Sequence, residues 1–326
     1  MASPMKLIFI AISILAAGPL GSIATAQQPP QKAVQLLGLT GVKDNTKGSL
    51  SVASGALRFT HSKSDTDLLA GSVQDVVTGS DSQRMVRGTL GTLSMFGPYG
   101  SGRFLSLFRS KLDTLTIKYR DVDGGLHGVI FTMPVNSADV TKGELVAAGA
   151  RTSIPKDMTP SERMSSAPEP KDPAAAPPAP EGKRARLSAS AITVMMVQSD
   201  EIKLPAEFQV ALFEHLVGQL SKKSGIRGVY REGDRTSPKA PNAVILHSTV
   251  RGFKQGSEMA RQVTTVAGAT SISVHCEFTD PDGKLLLARD IKGNVRFFGG
   301  NLNATNDFAK KAANLVRQNF APATGS

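Results

Sequence analysis

Tryptophan is absent from this sequence of 326 residues, aromatic residues make up only 5%, and Cys276 is the single cysteine. One cysteine excludes an intramolecular disulfide, whatever the redox compartment. So few aromatics, with no basic cluster interleaved among them, argue against a nucleic-acid surface. Beyond the first thirty residues no apolar run is long enough to cross a bilayer. The longest, such as Ala191 to Val197, have the length of a strand. Acidic residues are also short: 27 Asp and Glu against 38 Lys and Arg leave a net charge of +11, spread along the chain rather than concentrated in one block. That balance suits attraction to anionic lipid or envelope polymers, and also a plain solvated basic surface.

What is present begins with a leader. Lys6 is the only charge before residue 32, and it precedes the apolar run Leu7 to Ala17 and a small-residue stretch ending in Ala24-Thr25-Ala26. This is the charged, apolar and A-x-A order of a secretory signal, with cleavage expected after Ala26. No cysteine follows the apolar run, so a lipid-modified N-terminus is not expected. Residues 1–26 are therefore predicted to direct export to the periplasm or beyond, with no transmembrane span left after cleavage.

Proline divides the remainder. Residues 151–187 hold Pro155, Pro160, Pro168, Pro170, Pro173, Pro177, Pro178 and Pro180 among Ala, Ser, Glu and Lys. A segment so poor in large apolar residues cannot bury enough surface to offset its ordering entropy. It reads as an extended linker between a β-rich part, 32–150, and an α+β part, 188–322.

In the first part, short strand patterns alternate with turn signals: Gly48 to Val52, Ala56 to Thr60 and Ser72 to Val77. The strongest hairpin pairs Asp113–Tyr119 with Leu126–Met133 through Asp121-Val122-Asp123-Gly124-Gly125, which supplies the glycines a tight turn needs. A helix is predicted over Ser137–Ala148, with Ser137 as N-cap and Gly149 as its stop. The ordered set GSLSVASGALRFT, SVQDVVTG, the hairpin and the helix resembles a pleckstrin-homology or GRAM-like domain. That resemblance implies a mainly-β barrel or sandwich with a C-terminal helix, used as a binding platform.

The second part opens on the apolar strand Ala191–Gln198 and a helix over Pro205–Ser224, whose Phe208, Leu212, Phe213, Leu216, Val217 and Leu220 recur at helical spacing. Strands follow at Gly228–Arg231, Ala243–Phe253, Arg261–Thr279 and Lys284–Phe298, then an amphipathic helix near Ala304–Phe320. The expected fold is α+β, an antiparallel meander with two helices. Ile272, Val274, Cys276 and Phe278 share one strand face, so Cys276 is expected in the core, facing away from His275. The set GFKQGSEMARQV, SISVHCEFTDPDGKLLL and IKGNVRFFGG resembles a bacterial envelope family, often lipoproteins, of unknown function. Its fold is similar to small α/β domains of curli-secretion and Tol-system proteins, which implies a role in assembly and contact.

No catalytic, cofactor or metal pattern stands out. Asp121 and Asp123 lack the partners of an EF-hand loop and read as turn residues. His61 and His127 have no partner at a telling spacing, and His215 borders the apolar stripe of its helix as a flank residue. Arg103 and Arg109 flank a glycine-rich stretch, Gly97 to Gly102, and with Arg251 and Arg261 are the candidate anion or partner contacts. The expectation is an exported, non-enzymatic envelope binding or scaffold protein whose partner is an envelope protein, lipid or polymer. Binding to anionic lipid or polyanion is the alternative, and a hydrolase with an unrecognised site the remote one.

Overall fold

The structure, a computed structural model, describes residues 29–62, 64–81, 112–154, 186–199, 202–238, 240, 242–254, 256, 270–295 and 302–323. The leader with Ala26, the bulk of the proline-rich segment, Arg103, Arg109 and Arg261 lie outside these residues.

The N-terminal part is one seven-stranded antiparallel sheet: β1 (Gln31–Leu37), β2 (Thr46–Ala53), β3 (Ala56–His61), β4 (Ser64–Leu69), β5 (Val73–Thr78), β6 (Leu112–Arg120) and β7 (Leu126–Pro134). Its strand order is β4-β3-β2-β1-β7-β6-β5. Among the described residues the expected barrel does not close. β4 and β5 are the two edges, and β1, which periodicity alone did not reveal, lies in the middle and joins the β2–β4 meander to the β5–β7 group. Alternation places Leu50, Leu57, Phe59, Leu115, Ile117, Val129, Phe131 and Met133 in one buried cluster. Helix α1 (Ser137–Ala147) closes that core with Ala138 and Leu145. Its N-cap is Asn136, in the left-handed region at φ 70°, and not Ser137, whose hydroxyl donates instead to the Gln31 side chain at 3.3 Å.

The expected linker start is anchored. Thr152 donates to the Val76 carbonyl at 2.8 Å, Ser153 to Asp75 at 3.0 Å, and the buried Lys142 ammonium reaches both Asp81 and the Ile154 carbonyl at 2.7 Å. At the far end, β8 (Leu187–Ala189) pairs in parallel with β14 (Phe320–Pro322). The described residues before the proline-rich stretch are thus held by β5, and those after it by β14.

The C-terminal part is a five-stranded sheet of order β10-β9-β11-β12-β13. Its strands are β9 (Ala191–Val194), β10 (Gly228–Arg231), β11 (Ala243–Lys254), β12 (Thr270–Thr279) and β13 (Leu285–Val295). β11, β12 and β13 are the expected antiparallel meander, but β9 runs parallel to both β10 and β11. The crossover that parallel pairing requires is α2 (Ala206–Lys223). Helices α2 and α3 (Asn303–Asn319) pack against each other on one face of the sheet, and Phe208, Phe213, Phe278, Phe308 and Val316 meet in the second core. Cys276 is fully buried there, and burial pushes its thiol up to about 12, so it sits in the core as its strand parity required. Among the described residues no helix is long and apolar enough to cross a membrane.

Candidate functional site: the seam between the two sheets

In helix α2 the consecutive residues Val210, Ala211, Leu212 and Phe213 are all buried, so the helix is covered on more than one side there. One face serves the C-terminal core. The other meets the N-terminal sheet, where Val210 and Ala211 pack with Leu37 and Ile130. The approach is close because glycines line it: a Cβ on Gly128 would stand 2.5 Å from Val210 Cγ1. Gly38 lies at φ +91° beneath the Gly128 carbonyl, where a side chain has no room.

Polar groups lock this seam. The Arg231 guanidinium donates to both carboxylate oxygens of Glu214 at 2.7 Å and to the Leu126 carbonyl at 3.1 Å. Glu214 also accepts the Gly128 N–H at 2.8 Å. One ion pair from the C-terminal part therefore holds β7 of the N-terminal part through two backbone groups. The arginine lies over the Phe213 ring at 5.5 Å, adding a cation–π contact. The chains continue to pair beside it: Leu126 N–H donates to the Glu232 carbonyl at 2.9 Å, and Arg235 N–H to the Asp123 carbonyl at 2.9 Å. Arg120 reaches Gly124 O at 2.7 Å and Glu232 O at 3.3 Å. Bidentate, charge-assisted bonds of this kind fix orientation as well as proximity.

His127 sits behind the pair. Its Nε2 is 2.8 Å from Asp121 Oδ2, and its ring stacks on Tyr119 with centroids 5.2 Å apart. Asp121 also accepts the N–H groups of Asp123 and Gly125 at 3.0 and 2.8 Å. The aspartate is a turn residue, as read from sequence, and it has the histidine partner that spacing alone did not show. Burial, then the Arg231 charge, lowers the His127 pKa. Asp121 is lowered as well: burial pulls it upward, but the hydrogen bonds from His127 and the turn amides outweigh it. Both directions describe a neutral imidazole donating to a carboxylate.

Between the seam residues opens a cleft of about 370 Å³, lined in part by Gly38, Thr40, Asp44, His127, Glu214 and Arg231. Burial raises the Asp44 carboxyl, with Lys222 opposing and Glu214 reinforcing the shift. His215, also on the cleft, bonds through Nδ1 to the Thr305 hydroxyl at 2.7 Å. That hydroxyl gives its own proton to the Leu302 carbonyl at 2.6 Å, so Nδ1–H is the donor. Burial, then the Lys310 charge, lowers the His215 pKa to about 4. A second proton would enter an enclosed position beside a cation. A histidine lowered from about 6.5 gives its full stability above 6.5 and loses it as pH falls toward the folded value. His215→Asn, which keeps a donor near Nδ1, is expected to flatten the loss of stability between pH 6.5 and 4 in urea unfolding. An unchanged slope would place the acid sensitivity elsewhere.

Of the sequence candidates, only Arg251 falls on described residues. It is exposed on β11 at a bulge between Val250 and Gly252, on the C-terminal sheet and outside the seam. His61 stacks on Phe59 at 5.4 Å. Among the described residues no group of three or more His, Cys, Asp or Glu is placed to hold a metal ion. Glu214, Arg231, Gly38 and Asp44 were missed. Their signal was faint: a charged residue, Glu214, inside an apolar helix turn, and a glycine, Gly128, inside an apolar strand.

Comparison with known proteins places the C-terminal part. A family model for a domain of unknown function (DUF4410) matches residues 171–300. The match ends before α3, although Phe308, Ala312 and Val316 of α3 complete the same core. No curated protein matches the chain. Among solved structures, a PelC dodecamer from Paraburkholderia phytofirmans is 14% identical with a TM-score of 0.31, covering 41% of this chain and 89% of that one. An uncharacterised protein is 17% identical with a TM-score of 0.25, covering 41% of this chain and 95% of its own. A candidate lipoprotein from Caulobacter crescentus CB15 is 17% identical with a TM-score of 0.23, over 38% and 84% of the two chains.

Proposed function

We propose that this is an exported, non-enzymatic scaffold or binding protein of the bacterial envelope, built from two domains held as one body. The observation that carries the reading is the Arg231–Glu214 pair, whose hydrogen bonds run to Leu126, Gly128 and each other. A catalytic base needs a lone pair facing its substrate, and the cited bonds of Glu214 and Arg231 are made to β7 and to each other. The leader pattern supports export, and the match to a domain of unknown function leaves the envelope reading open to test. The proline-rich sequence between the two parts keeps them on one chain, which raises the effective concentration of one beside the other.

Two measurements test this. A specific protease site placed between residues 170 and 171 is cut, and the fragments are run on size exclusion. The docked scaffold predicts that they elute together in native buffer and separate in the Arg231→Met variant. Separation of the wild-type fragments would overturn the single-body reading. In cells, the mature chain is expected in the periplasmic or extracellular fraction, and turnover of a substrate by the purified protein would overturn the non-enzymatic one.

A further inference from the structure

His127 stands at the centre of the grip that joins the two parts. The ion pair of the C-terminal part holds β7 on both sides of this residue: Arg231 donates to the Leu126 carbonyl at 3.1 Å, and Glu214 accepts the Gly128 N–H at 2.8 Å. The histidine is buried, and its direct partners belong to the N-terminal part. Nε2 is 2.8 Å from Asp121 Oδ2, and the ring stacks on Tyr119. A carboxylate only accepts, so Nε2 carries the proton and Nδ1 the lone pair. A second proton therefore enters at Nδ1, beside a cation and an anion already matched to each other.

The groups around the ring come from both parts of the chain. Asp121 in the β6–β7 turn and Glu214 on α2 favour an imidazolium, while burial and Arg231 on β10 oppose it and prevail. Tyr119 on β6 is neutral, its phenol raised by burial. Asp44, between β1 and β2, and His215 on α2 border the same cleft, and the charge of Lys222 acts on Asp44. Arg120 and Arg235 direct their guanidinium bonds to backbone carbonyls at the turn. Of the two opposing influences, Arg231 acts on the ring only while the parts are docked, and so does the cover given by α2 and β10. Asp121 stays with the ring in either state. Separation therefore makes the second proton easier to bind, and by linkage that proton favours separation. The sign follows: docking is strongest above the ordinary histidine value of about 6.5 and weakens as pH falls through it toward the docked value.

We propose that the seam is an acid-releasable joint: a proton on Nδ1 of His127 loosens the Arg231–Glu214 grip on Leu126 and Gly128, and the two parts come apart while each keeps its own core. The inference rests on the single-body reading above. Two features of the fold suit it. Each part has a hydrophobic cluster of its own, so release exposes the seam and leaves both interiors closed. The apolar contact across the seam is small, Leu37 and Ile130 against Val210 and Ala211, which leaves the polar grip a large share of the docking. Histidine protonation biasing an interface between two arrangements is a general form of pH switch.

The test uses the mature protein cut at the site placed between residues 170 and 171. Sedimentation velocity gives the dissociation constant of the two pieces at about pH 7.5 and about pH 5.5, on either side of the histidine range. The wild-type pieces are expected to bind at least about tenfold more weakly at the lower pH, the effect of a one-unit difference in the pKa of a single group. His127→Gln keeps an N–H for Asp121 and does not titrate, so its dissociation constant is expected to change by less than about threefold. His215, bonded to Thr305 within the C-terminal part, is common to both proteins and cancels in the comparison. A second readout does not depend on the glutamine variant: the His127 ring resonance is expected to titrate at higher pH in the separated Arg231→Met pieces than in the docked wild type. Wild-type pieces found apart at about pH 7.5 would overturn the single-body reading and this inference with it. Equal binding at both pH values, a glutamine variant as pH-sensitive as the wild type, or one ring midpoint in both states would overturn this inference alone.

Discussion

Replacing Arg231 by methionine is expected to lower the unfolding free energy by about 3–5 kcal/mol, the cost of removing one partner from a buried ion pair. The side chains of Arg231 and Glu214 are only 18% and 8% exposed, so water replaces the missing guanidinium only in part. Glu214 would keep the Gly128 N–H and lose its counter-charge, and the Leu126 carbonyl would lose a donor. The paired variant Glu214→Gln with Arg231→Met separates charge from packing. The glutamine oxygen still accepts from Gly128, no charge remains buried, and most of the lost stability is expected to return. Urea unfolding of the wild type, both single variants and the double variant closes the cycle. If the double variant is as unstable as the sum of the singles, the pair is not coupled and the seam is held by its apolar contacts alone.

Gly38→Ala is expected to cost about 2–5 kcal/mol, combining a left-handed backbone that an L side chain resists with overpacking against the Gly128 carbonyl. Gly41 provides the control. It has a comparable φ of +78°, against +91° at Gly38, yet a Cβ there meets nothing within 4 Å. Gly41→Ala is therefore expected to show the backbone cost alone, about 1–2 kcal/mol. The difference between the two variants measures how closely the end of β1 must approach Gly128 on its sheet neighbour β7. Equal costs would mean that β1 and β7 can part slightly at this point.

The elements were read best where one periodicity dominated. The β6–β7 hairpin has alternation in both arms and a glycine-bearing turn between them, so its register followed from local sequence. Cys276 was placed correctly because strand parity assigns it to the same side as Ile272, Val274 and Phe278. β1 was missed because Gln31 to Leu37 mixes polar and apolar residues: the buried Gln35 breaks the pattern that Ala33 and Leu37 would otherwise make. The parallel pairing of β9 was missed because an apolar strand of four residues carries no mark of its neighbours' direction.

The site was legible only in hindsight, at α2. The consecutive apolar residues Val210, Ala211, Leu212 and Phe213 cover more than one helix face. That announces packing on two sides, but does not say against what. His127 and Asp121 are six residues apart, on either side of a turn, and their meeting depends on how tightly that turn closes. Glu214 and Arg231 come from a helix and the strand after it, and both then face a strand nearly a hundred residues earlier. No local pattern carries that information, because the pairing is selected by the burial of both charges together.

The sequence by itself determined the composition limits, the leader pattern, the proline-rich divide, the two stretches of chain that build separate cores, and the burial of the lone thiol. These follow from hydrophobic spacing and from residues with fixed backbone preferences, which act over a few positions. The tertiary structure alone decided that the β-rich sheet stays open, that α2 is shared between the two parts, and that Arg231 and Glu214 lock them. Such features arise from long-range burial, where a charge or a glycine is tolerated only because a distant segment supplies its partner or leaves it room.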